Sequence, residues 1–142
     1  MKKTYYDLLL ALLITMAIIF FSQAIPLEQY LSTYPYYLGY LKRYPWYPLW
    51  RLAVLSFLYW LFSVMIYSAE SNRTFLMVFF SSLLFTISHY SLLASIGILF
   101  NASFYPIFYI YRKVMYLDWG QLSIISILIV VILKIRKNAH KK

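Results

Sequence analysis

The sequence predicts an all-α integral membrane protein with four transmembrane helices and two aromatic interfacial segments on the outer side. One observation is composition: 63% of the residues are hydrophobic and 12% are charged. Soluble globular domains are about 45–50% apolar and about 25% charged, and so few charges cannot cover the surface that a soluble chain of this length exposes. A second observation is that the apolar residues fall into four runs, most of them close to the 20 or so residues that cross a bilayer. We therefore predict a single membrane domain, residues 1–142.

The four spans are predicted at residues 5–25, 50–68, 74–100 and 119–135. A short polar turn separates the second and third spans, which predicts an antiparallel helical hairpin. The third run, residues 74–100, is 27 residues long, or about 40 Å at 1.5 Å per residue. Because the hydrocarbon core is about 30 Å thick, this helix must tilt, kink or protrude. The first run also resembles a secretory signal, but we favour a retained span.

Two segments between the spans, residues 26–49 and 101–117, are dense in aromatic residues and interrupted by proline. We predict a short amphipathic helix and a bent aromatic stretch for the first, and an interfacial helix for the second. Tyrosine and tryptophan favour the headgroup layer because their rings are apolar and their tips are polar. The expected membrane anchors are Trp46, Tyr47, Trp50, Tyr105, Tyr109 and Trp119.

Basic residues predict the orientation. With four spans, eight lysines and arginines lie on the side of the termini and five on the other side. Positive charge favours the cytoplasmic side, so we predict a multi-pass plasma-membrane protein with both termini in the cytoplasm. Asn101 begins a glycosylation sequon on the outer side, for which a chance match is the favoured interpretation. Asp118 and Gln121 have the spacing of a capping box at the start of the fourth span.

His89 is the residue that merits a chemical hypothesis, because it lies near the middle of the third predicted span. A histidine in lipid should face protein. It is a candidate ligand for haem or a metal, but the favoured interpretation is a hydrogen bond to a neighbouring helix. Ser82, Thr86 and His89 share one helix face by their i, i+4, i+7 spacing. Small and hydroxylated residues predict helix packing at Ser82, Thr86, Ser91, Ser95 and Gly97.

The sequence offers no catalytic constellation. It has no cysteine and four acidic residues, none of them at mid-membrane, and no phosphate loop, nucleophile elbow or metal-spaced motif. We therefore predict a non-enzymatic accessory or structural subunit of a larger membrane complex, energy-transducing complexes included. Its expected partners are the lipid bilayer and other integral membrane subunits. The net charge of +9 fits orientation and anionic lipid better than nucleic acid.

Two alternatives stay open. One is a small channel, holin-like pore former or transporter, which would need a continuous polar stripe of which Ser82, Thr86 and His89 are the beginning. The other is a haem- or metal-binding electron-transfer subunit that uses His89, with its second ligand from elsewhere. The favoured interpretation has no cofactor.

Overall fold

The computed structural model describes residues 2–24, 44 and 46–139, without the side chains of residues 2 and 3. Its long helices are α1 (Lys2–Ala24), α2 (Tyr47–Met65), α3 (Asn72–Ser95) and α5 (Trp119–Ala139), and α4 (Ile98–Asn101) is a single turn. Among the described residues, four helices are long and apolar enough to cross a membrane, as expected for a multi-pass membrane protein. Most of the first predicted interfacial segment, residues 26–43 and 45, lies outside the described residues.

Helix α3 is the centre of the bundle, since it packs against α1, α2 and α5. Two ion pairs define one end of the molecule, which we call the terminal end. Arg73 Nε lies 3.1 Å from Asp7 Oδ1, and Lys137 Nζ lies 2.8 Å from Glu70 Oε1. These contacts bring the start of α1, the end of α5 and the α2–α3 turn together. The spans therefore alternate in direction along the chain, and α2 and α3 form the predicted hairpin.

Helix α3 is shorter than the third predicted span. It begins after Ser71, whose hydroxyl caps the helix by accepting from Thr74 N at 3.3 Å. It ends at Ser95, because Gly97 takes the left-handed conformation with φ of 75° and turns the chain. The prediction of 74–100 was therefore too long at its end. The 24 residues of α3 span about 36 Å, which is closer to the bilayer core.

Residues 103–117 form a three-stranded antiparallel sheet, so the interfacial helix predicted for 101–117 is wrong and the chain is not all-α. The strands are β1 (Ser103–Tyr105), β2 (Phe108–Tyr111) and β3 (Val114–Leu117), in the order β1-β2-β3. Aromatic and β-branched residues favour strands. Arg112 and Lys113 have φ of 49° and 67°, as a two-residue type I′ turn requires. We call this end of the molecule the sheet end; its location in the membrane interface stays a prediction.

Candidate functional site

Asp118 is the centre of a buried polar cluster at the sheet end. It directly precedes α5, and its side chain has no exposed surface. Gln121 N donates to Asp118 Oδ1 at 3.1 Å, which confirms the aspartate half of the predicted capping box. The Gln121 side chain donates from Nε2 to Asp118 Oδ2 at 2.9 Å. The carboxylate thus fixes the first turn of α5.

Two consecutive residues of α3 complete this cluster. Tyr90 OH donates to the Asp118 carboxylate, at 3.0 Å from Oδ2 and 3.2 Å from Oδ1. His89 Nε2 lies 3.5 Å from Asp118 Oδ1, and this buried nitrogen makes no hydrogen bond within the described part of the chain. Because these residues belong to α3 and Asp118 precedes α5, the cluster joins two spans. We call His89, Tyr90, Asp118 and Gln121 the Asp118 cluster.

Gly120 allows the two helices to approach closely at this point. A Cβ atom there would lie 2.8 Å from His89 Cδ2 and 2.9 Å from Tyr90 Cε2, which is closer than van der Waals contact allows. Any larger residue would therefore push both rings away from Asp118. Glycine at the start of α5 is what lets two aromatic rings reach the carboxylate.

The Asp118 cluster also holds the sheet against the bundle. Gln121 Nε2 donates to Tyr105 O at 2.9 Å, and Ile107 N donates to Gln121 Oε1 at 2.9 Å. Asp118 N donates to Ile107 O at 2.8 Å. Tyr109, on the central strand β2, is buried; burial raises its pKa, and the Asp118 carboxylate and Tyr116 raise it further. The β1–β2 turn is thus bonded to α5 through both backbone and side chain.

Below the cluster, hydroxyl groups connect the spans; we call these contacts the hydroxyl ladder. Its three rungs are Thr86 Oγ1 to Ser123 Oγ at 2.6 Å, Ser82 Oγ to Ser126 Oγ at 3.0 Å, and Ser56 Oγ to Ser88 Oγ at 2.7 Å. Trp60 Nε1 also donates to Ser126 Oγ at 2.9 Å. Several of these hydroxyls lie against carbonyls of their own helices as well, as in Thr86 to Ser82 O. Hydroxyls bonded in this way stabilise helix packing.

Beside the cluster, an open groove of about 240 Å³ lies between α2, α3 and the start of α5. We call it the aromatic groove; its lining residues are Trp50, Ala53, Val54, Phe57, Phe85, His89, Leu92 and Trp119. The Phe57 ring centroid lies 5.4 Å from that of Trp119 and 5.2 Å from that of Phe85. These spacings are typical of packed aromatic rings. His89 is the polar residue of this lining.

The structure separates the predicted packing residues into two groups. Ser82 and Thr86 belong to the hydroxyl ladder; Thr86 lies one turn and Ser82 two turns from His89 on the same helix. Ser95 is exposed and donates within its own helix to Leu92 O at 2.7 Å, and Gly97 forms the turn after α3. Ser91, which is half-buried, is likewise in no helix-to-helix hydrogen bond among the described residues. The structure therefore does not bring this second group to the ladder.

The predicted membrane anchors also take different positions. Trp50 and Trp119 line the aromatic groove, and Tyr47 and Tyr109 are buried inside the protein. Trp46 is half-buried, whereas Tyr105 is exposed. Asn101, the sequon residue, is exposed at the end of α4. Some of these residues are therefore exposed enough to contact lipid headgroups, whereas Tyr47 and Tyr109 are not.

Sequence reasoning missed the partners of His89. A tyrosine beside a histidine, as at Tyr90, is not distinctive in an aromatic-rich chain. Gly120, one of three glycines, follows Asp118 and precedes an apolar run, and this was the available signal for a close helix contact. Among the residues that the structure describes, no group of three or more histidine, aspartate or glutamate side chains could hold a metal ion. His140 lies outside the described residues.

Comparison with known proteins finds no match for this chain among protein-family models, curated proteins or solved structures.

Proposed function

We propose that this chain is a non-catalytic accessory subunit of a larger membrane complex. The observation that carries the proposal is the open edge of β3 at the sheet end. All four residues of this strand, Val114–Leu117, are exposed. In the described part of the chain, β3 pairs with β2 and has no strand on its other side. An exposed apolar edge strand is a liability unless another segment covers it.

The edge of β3 has the chemistry for strand addition. In a hairpin with a two-residue turn, the closing pair Tyr111–Val114 exchanges both backbone hydrogen bonds, and the next pair, Ile110–Met115, exchanges none. The N–H and C=O groups of Met115 therefore point away from β2. An extended partner segment can bond to such groups, with main-chain contacts for affinity and side-chain contacts for specificity.

The expected occupant is an extended segment of another membrane subunit that carries acidic residues. Arg112 and Lys113 form the tip beside β3 and are exposed, so a neighbouring segment with carboxylates is favoured by charge. The sheet is also preorganised, because Gln121 and Asp118 bond its first turn to α5. A surface that is already ordered loses little conformational entropy when a partner binds.

The two alternatives receive less support from the geometry. A pore within one protomer would need a polar path that is open to water, whereas Ser82 and Ser123 of the hydroxyl ladder are fully buried. Haem ligation would need room for a macrocycle beside His89. The groove that His89 lines has a volume of about 240 Å³, which is below the range of about 300–1,000 Å³ that is usual for ligand pockets.

We further propose that the terminal end faces the cytoplasm, as the basic residues Arg73, Lys134, Arg136 and Lys137 favour. The chain has no cysteine, so single-cysteine variants report accessibility without background. Asn138→Cys should resist a membrane-impermeant maleimide added to intact cells, whereas Lys113→Cys should react. The reverse pattern would contradict this orientation.

The test of the subunit proposal is gentle purification from native membranes, followed by mass spectrometry of the co-purifying chains. Met115→Lys puts a charge on the open edge, and Met65→Lys is the matched control, because Met65 is also exposed but lies towards the terminal end. We expect a stoichiometric partner that Met115→Lys reduces at least about tenfold and Met65→Lys leaves unchanged. A wild-type protein that purifies alone, stable and monodisperse would refute the proposal.

A further inference from the structure

The aromatic groove has the position of a site that is filled from the membrane. Trp50 and Trp119, at the starts of α2 and α5, line part of the groove. His89 and Leu92, in the last third of α3, line another part. His89 lies six residues before the end of α3, or about 9 Å along the helix axis. With α3 placed across a bilayer, a ligand at that depth would lie in the part of the leaflet nearest the sheet end. Its ring would pack against the aromatic side chains of the lining.

The Asp118 carboxylate faces one nitrogen of the His89 ring. Tyr90 OH and Gln121 N both donate to this carboxylate, so Asp118 acts as a hydrogen-bond acceptor here. His89 Nε2 is the ring nitrogen nearest to it, at 3.5 Å. A carboxylate beside one nitrogen favours the tautomer with the proton on that nitrogen. The neutral imidazole then has its lone pair on Nδ1, which accepts a hydrogen bond and cannot donate one.

We propose that the aromatic groove binds the ring of a membrane-dissolved hydroquinone, one hydroxyl of which donates a hydrogen bond to His89 Nδ1. The volume of about 240 Å³ is small for a ligand pocket, and the groove is open, so it accommodates a substituted ring and leaves an apolar tail in lipid. The acceptor character of Nδ1 selects the hydroxyl of the reduced ring over the carbonyl of the oxidised ring. This site does not rest on the accessory-subunit proposal, because it shares no residue with the edge of β3.

The chemistry of the lining excludes other classes of ligand. Among the described residues that line the groove, none is charged at neutral pH, so an anionic headgroup or a nucleotide has no cationic partner there. A purely aliphatic chain would leave the His89 ring without a polar partner. A single aromatic ring with a hydroxyl group can pack against the aromatic side chains of the lining and donate a hydrogen bond to the imidazole.

The test is calorimetric titration of the nanodisc-embedded protein with decylubiquinol under reducing, anaerobic conditions, with the heat from empty nanodiscs subtracted. We expect saturable binding to one site, and decylubiquinone binding at least about tenfold more weakly. His89→Phe keeps an aromatic ring and removes the acceptor, so it should weaken decylubiquinol at least about tenfold and abolish the preference for the reduced form. Val54→Phe fills the groove from its α2 side and should abolish binding of both forms.

Leu128→Ala is the control, because Leu128 is exposed on α5 and does not line the groove; it should bind as the wild type does. The proposal is overturned if wild-type protein does not bind decylubiquinol saturably, or if both redox forms bind equally. It is also overturned if Val54→Phe binds normally, since the ligand would then lie elsewhere. If His89→Phe fails to fold, the redox comparison on the wild type and the Val54→Phe titration still decide the matter.

Discussion

Replacement of Asp118 by alanine should destabilise the fold, because one carboxylate accepts several hydrogen bonds at the sheet end. Its carboxylate caps α5 through Gln121 N and accepts from Tyr90 OH and from Gln121 Nε2. Loss of an N-cap costs about 0.5–2 kcal/mol. Tyr90 OH is left without its acceptor, but because Tyr90 is half-buried this costs about 1 kcal/mol, at the low end of the range for a buried donor. Gln121 Nε2 keeps its bond to Tyr105 O, so we expect a total loss of about 1.5–3 kcal/mol.

Two further variants separate these contributions. Asp118→Asn keeps the cap, because asparagine is as good an N-cap as aspartate, and should therefore lose less than Asp118→Ala. Tyr90→Phe removes the donor and leaves the cap in place, which should cost about 0.5–1.5 kcal/mol. The order of stability is thus wild type, then Tyr90→Phe and Asp118→Asn, then Asp118→Ala.

The assay is reversible unfolding in mixed detergent micelles, with the free energy of unfolding compared between variants. Hydrogen exchange should also show faster exchange across residues 103–117 in Asp118→Ala, because the Asp118 carboxylate holds the Gln121 side chain, which bonds the β1–β2 turn at Tyr105 O and Ile107 N. An Asp118→Ala protein within about 0.5 kcal/mol of the wild type would lie inside the usual range of neutral surface changes. That result would refute the view that the Asp118 cluster holds α3, α5 and the sheet together.

Three other predictions follow from separate contacts. A double-mutant cycle of Thr86→Val and Ser123→Ala should give a coupling free energy of about 0.5–1.5 kcal/mol, as interhelical hydrogen bonds in membranes do, since the two hydroxyls lie 2.6 Å apart. Arg73→Ala should destabilise by about 1–3 kcal/mol, because it leaves the buried carboxylate of Asp7 without its ion-pair partner. Tyr109→Phe should make the free energy of unfolding fall less steeply as the pH rises in the alkaline range. The unfolded tyrosine ionises near its ordinary pKa of 10.0 while the folded one keeps its proton, so stability falls as the pH rises above that value.

The controls come from the same structure. Lys137→Ala breaks an ion pair whose partner Glu70 is 84% exposed, so it should cost no more than about 1 kcal/mol; equal losses in Lys137→Ala and Arg73→Ala would contradict the role of burial. A coupling energy near zero would show that the Thr86–Ser123 contact adds nothing to packing. An unchanged alkaline slope of the free energy of unfolding in Tyr109→Phe would show that Tyr109 is not the group responsible.

The amino-acid sequence determined the four spans, because membrane insertion depends on local apolar length. Residues 5–25 and 119–135 were each predicted to within a few residues of the helices Lys2–Ala24 and Trp119–Ala139. The capping role of Asp118 was also readable, since a cap bonds to residues three positions away. The end of α3 was missed because the apolar run continues past Gly97, and only the backbone reversal there marks where the helix stops.

The sheet of residues 103–117 carried a signal that was open to two interpretations. Its aromatic and β-branched residues fit strands, but the same tyrosines fit a membrane-interface helix, and Arg112-Lys113 is not one of the glycine- or asparagine-containing pairs that announce a two-residue turn. Pairing between β1, β2 and β3 decided the matter, because hydrogen bonds between strands satisfy the backbone groups that a helix would otherwise satisfy within itself.

Only the tertiary structure decided what His89 contacts. The sequence placed Ser82, Thr86 and His89 on one helix face, because that depends on helical periodicity alone. It did not place Asp118 beside His89, because the two residues are 29 positions apart along the chain. They meet only because α3 packs against α5, and Gly120 permits that close packing. Apolar length is a property of each segment, whereas the pairing of polar side chains depends on how the segments pack.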